Sequence, residues 1–271
     1  MTRTRVEFLY EDEHIVAVDK PAGLAVIAPD GSRSRSLYDI VTERIQRRNP
    51  RGRAAVVHRL DRDTSGVMLF AKDARTKERL MGSWNELVKL RRYVALAEGA
   101  PPAREGVLDT WLLDTGEGRV RQVAPGTRGA LRSVTAYRVV GEGGGYSLLE
   151  LDLETGRRHQ IRVQLAAVGC PVAGDERYGS RRDPLGRLGL HASLIELDDP
   201  FGGGTLRFES PVPASFREAL SASRARVGRD HAGRAPAMRH ERQDPGADRG
   251  HTGGHRTGRG RPGWTSRSDP R

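Results

Sequence analysis

From Gly228 to Arg271 the sequence contains no Leu, Ile, Val, Phe or Tyr. Nothing else in the chain limits folding so sharply. Those residues hold ten Arg, five Asp or Glu and nine Gly. They cannot bury enough apolar area to offset the entropy lost on ordering. Residues 228–271 are therefore expected to form a disordered Arg/Gly-rich tail, and residues 1–227 one globular unit with a proper core. Ten arginines against five acids give the tail +5 of the chain's +11, which leaves +6 on residues 1–227. A basic surplus points to a polyanionic partner, most simply nucleic acid, and says nothing about fold. Acidic residues interspersed among the tail's arginines favour a solvated extension over an RNA-gripping arm. His240, His251 and His255 also sit there, without the cysteines that would make their spacing a metal signal.

Other classes fall away on simple grounds. No run of about 18 apolar residues exists, so no membrane span is expected. The opening residues Met1 to Phe8 lack the apolar stretch of a secretory signal. Cys170 is the single cysteine, which rules out an internal disulfide and fits a reducing cytoplasm. Lying between Gly169 and Pro171 after an apolar segment, it reads as a packed thiol rather than a nucleophile.

Periodicity supplies the elements. Phe8 to Tyr10 and His14 to Val18 read as short strands, and Lys20-Pro21-Ala22-Gly23 as a turn. Leu37, Ile40, Val41 and Ile45 make a helix after Ser36 that ends before Asn49-Pro50. Val67 to Ala71 is strand-like, followed by a helix capped by Asp73 with Leu80, Trp84, Leu87 and Val88 on one face. Tyr93 to Ala97 is again a strand. Residues 99–132 are rich in Gly, Pro and Arg and predict irregular strands and loops. Val134 to Val140 and Tyr146 to Leu153 alternate as a pair around Gly141 to Gly145. Ile161, Leu165 and Val168 predict a helix closed by Gly169 and Pro171. Leu190 to Leu197 and Leu206 to Phe208 close the sheet, and Pro213 leads a last helix. The fold class is α+β, with a mostly antiparallel mixed sheet and flanking helices. There is no internal repeat and no Walker or Rossmann glycine pattern.

Two polar constellations stand out. His58-Arg59-Leu60-Asp61-Arg62-Asp63-Thr64-Ser65-Gly66 lies between two apolar strand segments, a natural place for a catalytic loop. Arg59 and Arg62 flank Asp61 in sequence, so its carboxylate is expected in a cationic field that favours ionisation. The same spacing also suits an ion-pair loop with Thr64 and Ser65 as turn residues. Thr155 to Arg162 forms the second constellation. A basic run there opens a helix on which Arg158 and Arg162 would share a face, suited to phosphate or carboxylate partners. An ordinary solvated basic face is the alternative.

The run HRLDRDTSGVMLFAK resembles the signature of the RluA-type RNA pseudouridine synthases. LYEDEHIVAVDKPAGLAV (9–26), LRRYVAL (90–96), TGRRHQIRVQLAAVGCPVAGDERYG (155–179) and LHA (190–192) resemble further motifs of that family, in its order. Together they span most of residues 6–217. The resemblance implies a pseudouridine synthase fold with a central RNA-binding catalytic cleft. It implies that Asp61 is the catalytic aspartate and that Arg162 pairs with it. It implies that Tyr93 lines the pocket against the target base, that Leu190 packs beneath that base, and that Arg59 occupies the space left by the extruded uridine. Lys20 would have a supporting role at most. The implied reaction isomerises uridines of ribosomal or transfer RNA, in a cytoplasmic monomer, without cofactor or metal. The opening motif starts near residue 6, so no separate RNA-binding domain is expected ahead of the catalytic unit.

The family often has histidine where Gln164 stands and a His-Pro pair where Asp199-Pro200 stands, which leaves the subgroup and its RNA open. Two rival readings bear on the residues themselves. A non-catalytic RNA-binding or ribosome-assembly protein explains the charge, but not an acid in the middle of a basic patch. A glycoside hydrolase would use Asp61 and Asp63 as a carboxylate pair, though the surrounding arginines suit an RNA strand better than a neutral sugar.

Overall fold

A computed structural model describes residues 5–29, 31–116 and 118–222. The tail expected over 228–271 lies outside the described residues. One 11-stranded sheet runs through the described part in the order β1-β2-β4-β10-β5-β9-β8-β6-β7, with β3 added to β4 and β11 to β10. The strands are β1 (Glu7–Glu11), β2 (Ile15–Lys20), β3 (Ala55–Val56), β4 (Ser65–Ala71), β5 (Val88–Glu98), β6 (Glu105–Asp114), β7 (Val120–Val123), β8 (Leu131–Gly143), β9 (Tyr146–Leu153), β10 (Leu190–Asp198) and β11 (Thr205–Glu209). Every pairing is antiparallel except β4 with β10. The α+β class with a mostly antiparallel mixed sheet is therefore the observed one.

Among the described residues, five α-helices cover the sheet: α1 (Leu37–Gln46), α2 (Ala74–Gly82), α3 (Trp84–Leu87), α4 (Gln160–Ala167) and α5 (Ala214–Ala222). Strand alternation decides which face each helix takes. Val16, Val18, Met68 and Phe70 point to one face and pack with Leu37, Val41 and Ile45 of α1. Ala95, Ala97, Leu149 and Leu151 pack with Ile161 and Leu165 of α4. Tyr93 packs against both groups, so α1 and α4 lie on one face with Tyr93 between them. The intervening residues point the other way. Ile15, Ala17, Val67 and Leu69 meet Leu80 of α2, while Val94, Leu96 and Leu148 meet Phe216 of α5.

Local chemistry sets the helix starts. Ser36 caps α1 in a capping box: its Oγ accepts from the Asp39 amide, and Asp39 Oδ2 accepts from the Ser36 amide at 2.8 Å. Asp73 caps α2, accepting from the Thr76 amide at 2.8 Å. The second predicted helix is shorter than its apolar spacing suggests. It breaks at Gly82-Ser83 into α2 and the single turn α3, and Val88 already belongs to β5. The largest difference lies in 99–132, where β6 and β7 form a regular hairpin and β6 also pairs with β8. Leu108 and Leu112 are the buried residues of β6, and their burial fixes its register. Cys170 is buried, and burial raises its thiol pKa, as a packed cysteine requires.

Candidate active site

The loop from Val57 to Thr64 joins β3 to β4 and is braced from inside. His58 is half-buried, and its Nε2 accepts the Leu69 amide of β4 at 2.9 Å. Burial pushes its pKa down to about 3, so the ring stays neutral and keeps its lone pair for that amide. On the loop's other side stands Lys20, which is fully buried at the end of β2. Its Nζ donates to the carbonyls of Pro21 (2.9 Å), Leu24 (2.9 Å) and Arg62 (2.7 Å). Three acceptors match the three protons of an ammonium, against a burial effect that lowers its pKa to about 7. The supporting role expected of Lys20 thus takes the form of a tie between the opening turn and the Asp61 loop. The Gly23 amide adds a second tie to the Arg62 carbonyl at 2.9 Å.

Beyond the loop, β4 meets β10 in the one parallel pairing, Ser65 opposite His191 and Gly66 opposite Ala192. Gly66 has φ +114°, and a Cβ there would lie 2.1 Å from the Ala192 carbonyl oxygen, so only glycine permits the approach. Ser65 Oγ accepts from Arg187 Nη2 at 2.7 Å and bonds His191 Nδ1 at 2.8 Å. This pairing sets Leu190 beside the loop.

A cavity opens between the Asp61 loop and the start of α4, with Tyr93 in its wall. Arg59, Asp61, Tyr93, Arg162 and Leu190 all line it. They come from four segments distant in sequence: the loop, β5, α4 and β10. Thr64, Arg157, His159 and Gln160 complete its polar wall. Asp61 Oδ2 accepts from Arg162 Nη1 at 2.8 Å. The other side of the Arg162 guanidinium grips Asp175 with two bonds, Nε to Oδ2 at 2.6 Å and Nη2 to Oδ1 at 2.9 Å. Burial works against the charge on Arg162, but the two carboxylates outweigh it and raise its pKa. Tyr93 is half-buried, and desolvation lifts its phenol to about 12, so it stays protonated at neutral pH. Arg59 is exposed at the rim. Among the described residues, no three His, Cys, Asp or Glu side chains gather as a metal ion would require.

The cationic field around Asp61 differs from the expected one. Arg62 turns away and pairs with Asp63 on the surface at 2.9 Å. Arg158 pairs with Asp114 at 3.1 Å, and it precedes α4 instead of sharing a face with Arg162. The reason is His159, whose φ of 53° breaks the helical path before Gln160. Asp61 is thus held by one distant arginine, 101 residues away in sequence, and not by its neighbours. The Arg62 bond also takes Asp63 out of any carboxylate pair with Asp61.

Asp175, His159 and Tyr178 carry site contacts that sequence reasoning did not assign. All three fall within the run 155–179, which was the available signal. Gln164, the departure from the family pattern, lies away from the cavity. It is fully buried and fastens α4 to β6 and β8 through Thr135, Thr110 and the carbonyls of Leu108 and Ser133.

Comparison with known proteins agrees with this geometry. The family model described as RNA pseudouridylate synthase matches residues 14–167. A Bacillus subtilis relative named as the uncharacterized RNA pseudouridine synthase YhcT is 34% identical over 215 residues, 78% of this chain and 70% of that protein. The ribosomal large subunit pseudouridine synthase D of Nitrosomonas europaea is 35% identical over 228 residues, 81% of this chain and 65% of that protein. The enzyme of that name from Pseudomonas aeruginosa is 34% identical over 239 residues, 80% of this chain and 71% of that protein. Among solved structures, human RNA Pseudouridylate Synthase Domain Containing 4 has the same fold, with a TM-score of 0.66 at 24% identity over 80% of this chain and 93% of that one. Sequence match and shared fold agree, and the chain belongs to the RluA-type family of RNA pseudouridine synthases.

Proposed function

We propose that the chain converts uridine to pseudouridine in large-subunit ribosomal RNA, with Asp61 as the reacting carboxylate. The observation that carries this reading is one carboxylate, Asp61, lining a cavity whose other charged walls are Arg59, Arg157 and Arg162. An acid placed there repels phosphate, so it serves chemistry and not grip. The reaction breaks N1–C1′, turns the base, joins C5 to C1′, and moves one proton from C5 to N1. It involves no redox change.

Each residue has a part in that sequence. Exposing the stacked uridine costs a few kcal/mol. Arg59, exposed at the rim, offsets part of that cost by filling the vacated space in the RNA. Tyr93 and Leu190 line the cavity floor and keep the freed uracil beside the sugar, which is a proximity effect. Asp61 supplies an ionised oxygen to the electron-poor sugar or base, and Arg162 fixes its direction. The choice of ribosomal RNA follows relatives whose names carry that substrate. Incubating large-subunit RNA and transfer RNA separately with the protein, then derivatising pseudouridine and reading the mass shift, tests it. New pseudouridine is expected in the ribosomal RNA. Modification of transfer RNA alone would overturn the substrate, and modification of neither would overturn the activity.

A further inference from the structure

We propose that His159 is a positioning residue for Asp61, a second polar wall that fixes the carboxylate's direction together with Arg162. The inference rests on the role given to Asp61 above. Three independent observations meet at this residue.

First, His159 is the only non-glycine residue with positive φ among the described residues, at 53°. Glycine or asparagine holds that conformation at lower cost, so the backbone alone does not ask for histidine. Second, the ring is held from behind. Nδ1 lies 2.7 Å from the Tyr178 hydroxyl, and that hydroxyl accepts the Val120 amide at 3.0 Å. A phenol that already accepts from Val120 has its own proton for Nδ1. The neutral ring then carries its hydrogen on Nε2. Third, Nε2 stands 3.6 Å from Asp61 Oδ2, the oxygen that Arg162 also holds. That separation is longer than a formed hydrogen bond and short enough to close when substrate seats.

The surroundings keep the ring neutral. Burial lowers its pKa, Asp61 opposes that effect, and Arg162, Arg158 and Arg177 add to it. Tyr178 locks the arrangement a second time by placing its ring 5.0 Å from the Arg162 guanidinium. One tyrosine therefore orients both groups that face Asp61 Oδ2.

The test compares His159→Gly with His159→Gln in the full chain. Glycine suits the left-handed backbone and removes the ring. Glutamine restores an N–H donor at about the reach of Nε2. We expect His159→Gly to fold with an unchanged or higher melting temperature. Its kcat should fall about 100-fold, the scale of a catalytic group displaced by roughly an ångström. KM for RNA should stay within about twofold, and the acid limb of the pH–rate profile should move toward neutrality. His159→Gln should recover most of the lost kcat. Wild-type kcat in the glycine variant would overturn the proposal, as would equal loss in both variants or a change confined to KM. Asp61→Asn, run in parallel, separates the two readings. Turnover by that variant removes the role of Asp61 itself, whereas an inactive Asp61→Asn beside a fully active His159→Gly removes only the role of His159.

Discussion

Arg162 makes three bonds to two carboxylates, and one of them, Asp175, is almost fully enclosed, with 1% of its side chain exposed. Removing one partner of a buried ion pair leaves an uncompensated charge, which costs about 3–5 kcal/mol. Arg162→Ala should lose stability on that scale in urea, and its pseudouridine formation should fall even at temperatures where it stays folded. A stability within about 0.5 kcal/mol of wild type would contradict the fork. His58 gives a pH-dependent counterpart. Its folded pKa, about 3, lies below the ordinary 6.5, so the unfolded chain takes up the proton first. Between pH 6.5 and 3 the unfolded state binds more protons, and stability falls as pH falls. Each unit is worth about 1.36 kcal/mol, so wild type should lose about 2 kcal/mol more than His58→Gln between pH 7 and pH 5. Parallel stability curves for the two proteins would contradict a neutral, lone-pair-donating His58.

Among the elements, the parallel junction of β4 and β10 holds the site together. Gly66→Ala would drive a methyl group into the Ala192 carbonyl, so it should cost at least about 3 kcal/mol or prevent folding. A variant with wild-type melting temperature would show that the strands can part without consequence. Much of this architecture is legible in the sequence. Strands buried on one or both faces, such as β2, β4 and β9, announce themselves by apolar runs or alternation, and Ser36 and Asp73 announce two helix starts. The hairpin of β6 and β7 does not, because Val107, Leu108, Trp111, Leu112 and Leu113 of β6 break the period-two alternation of a half-buried strand. The start of α4 is hidden as well, since a left-handed histidine leaves no periodic trace. At the site, Asp61, Arg59, Tyr93, Arg162 and Leu190 were legible through family motifs and do converge on one cavity. The pair of Asp61 with Arg162 was legible through the same resemblance, whereas the pairs of Arg162 with Asp175 and of Arg158 with Asp114 were not. Asp61 finds Arg162 and Arg158 finds Asp114 across 101 and 44 residues, and only the fold creates those distances.

For the whole molecule, charge and chemistry separate. Residues 228–271 carry +5 of the chain's +11 in a stretch without large aliphatic residues. We propose that they add only weak, sequence-independent RNA affinity. Deleting them should reduce RNA binding modestly and flatten its dependence on salt, because fewer counterions are released. Complete loss of activity on deletion would contradict that division. The catalytic claim rests on one acid among arginines, and Asp61→Asn tests it most directly. Pseudouridine formation in large-subunit RNA, read by mass shift after derivatisation, should vanish in that variant, with its melting temperature kept and its RNA affinity within a few-fold of wild type. Substantial pseudouridine formation by folded Asp61→Asn would contradict the account.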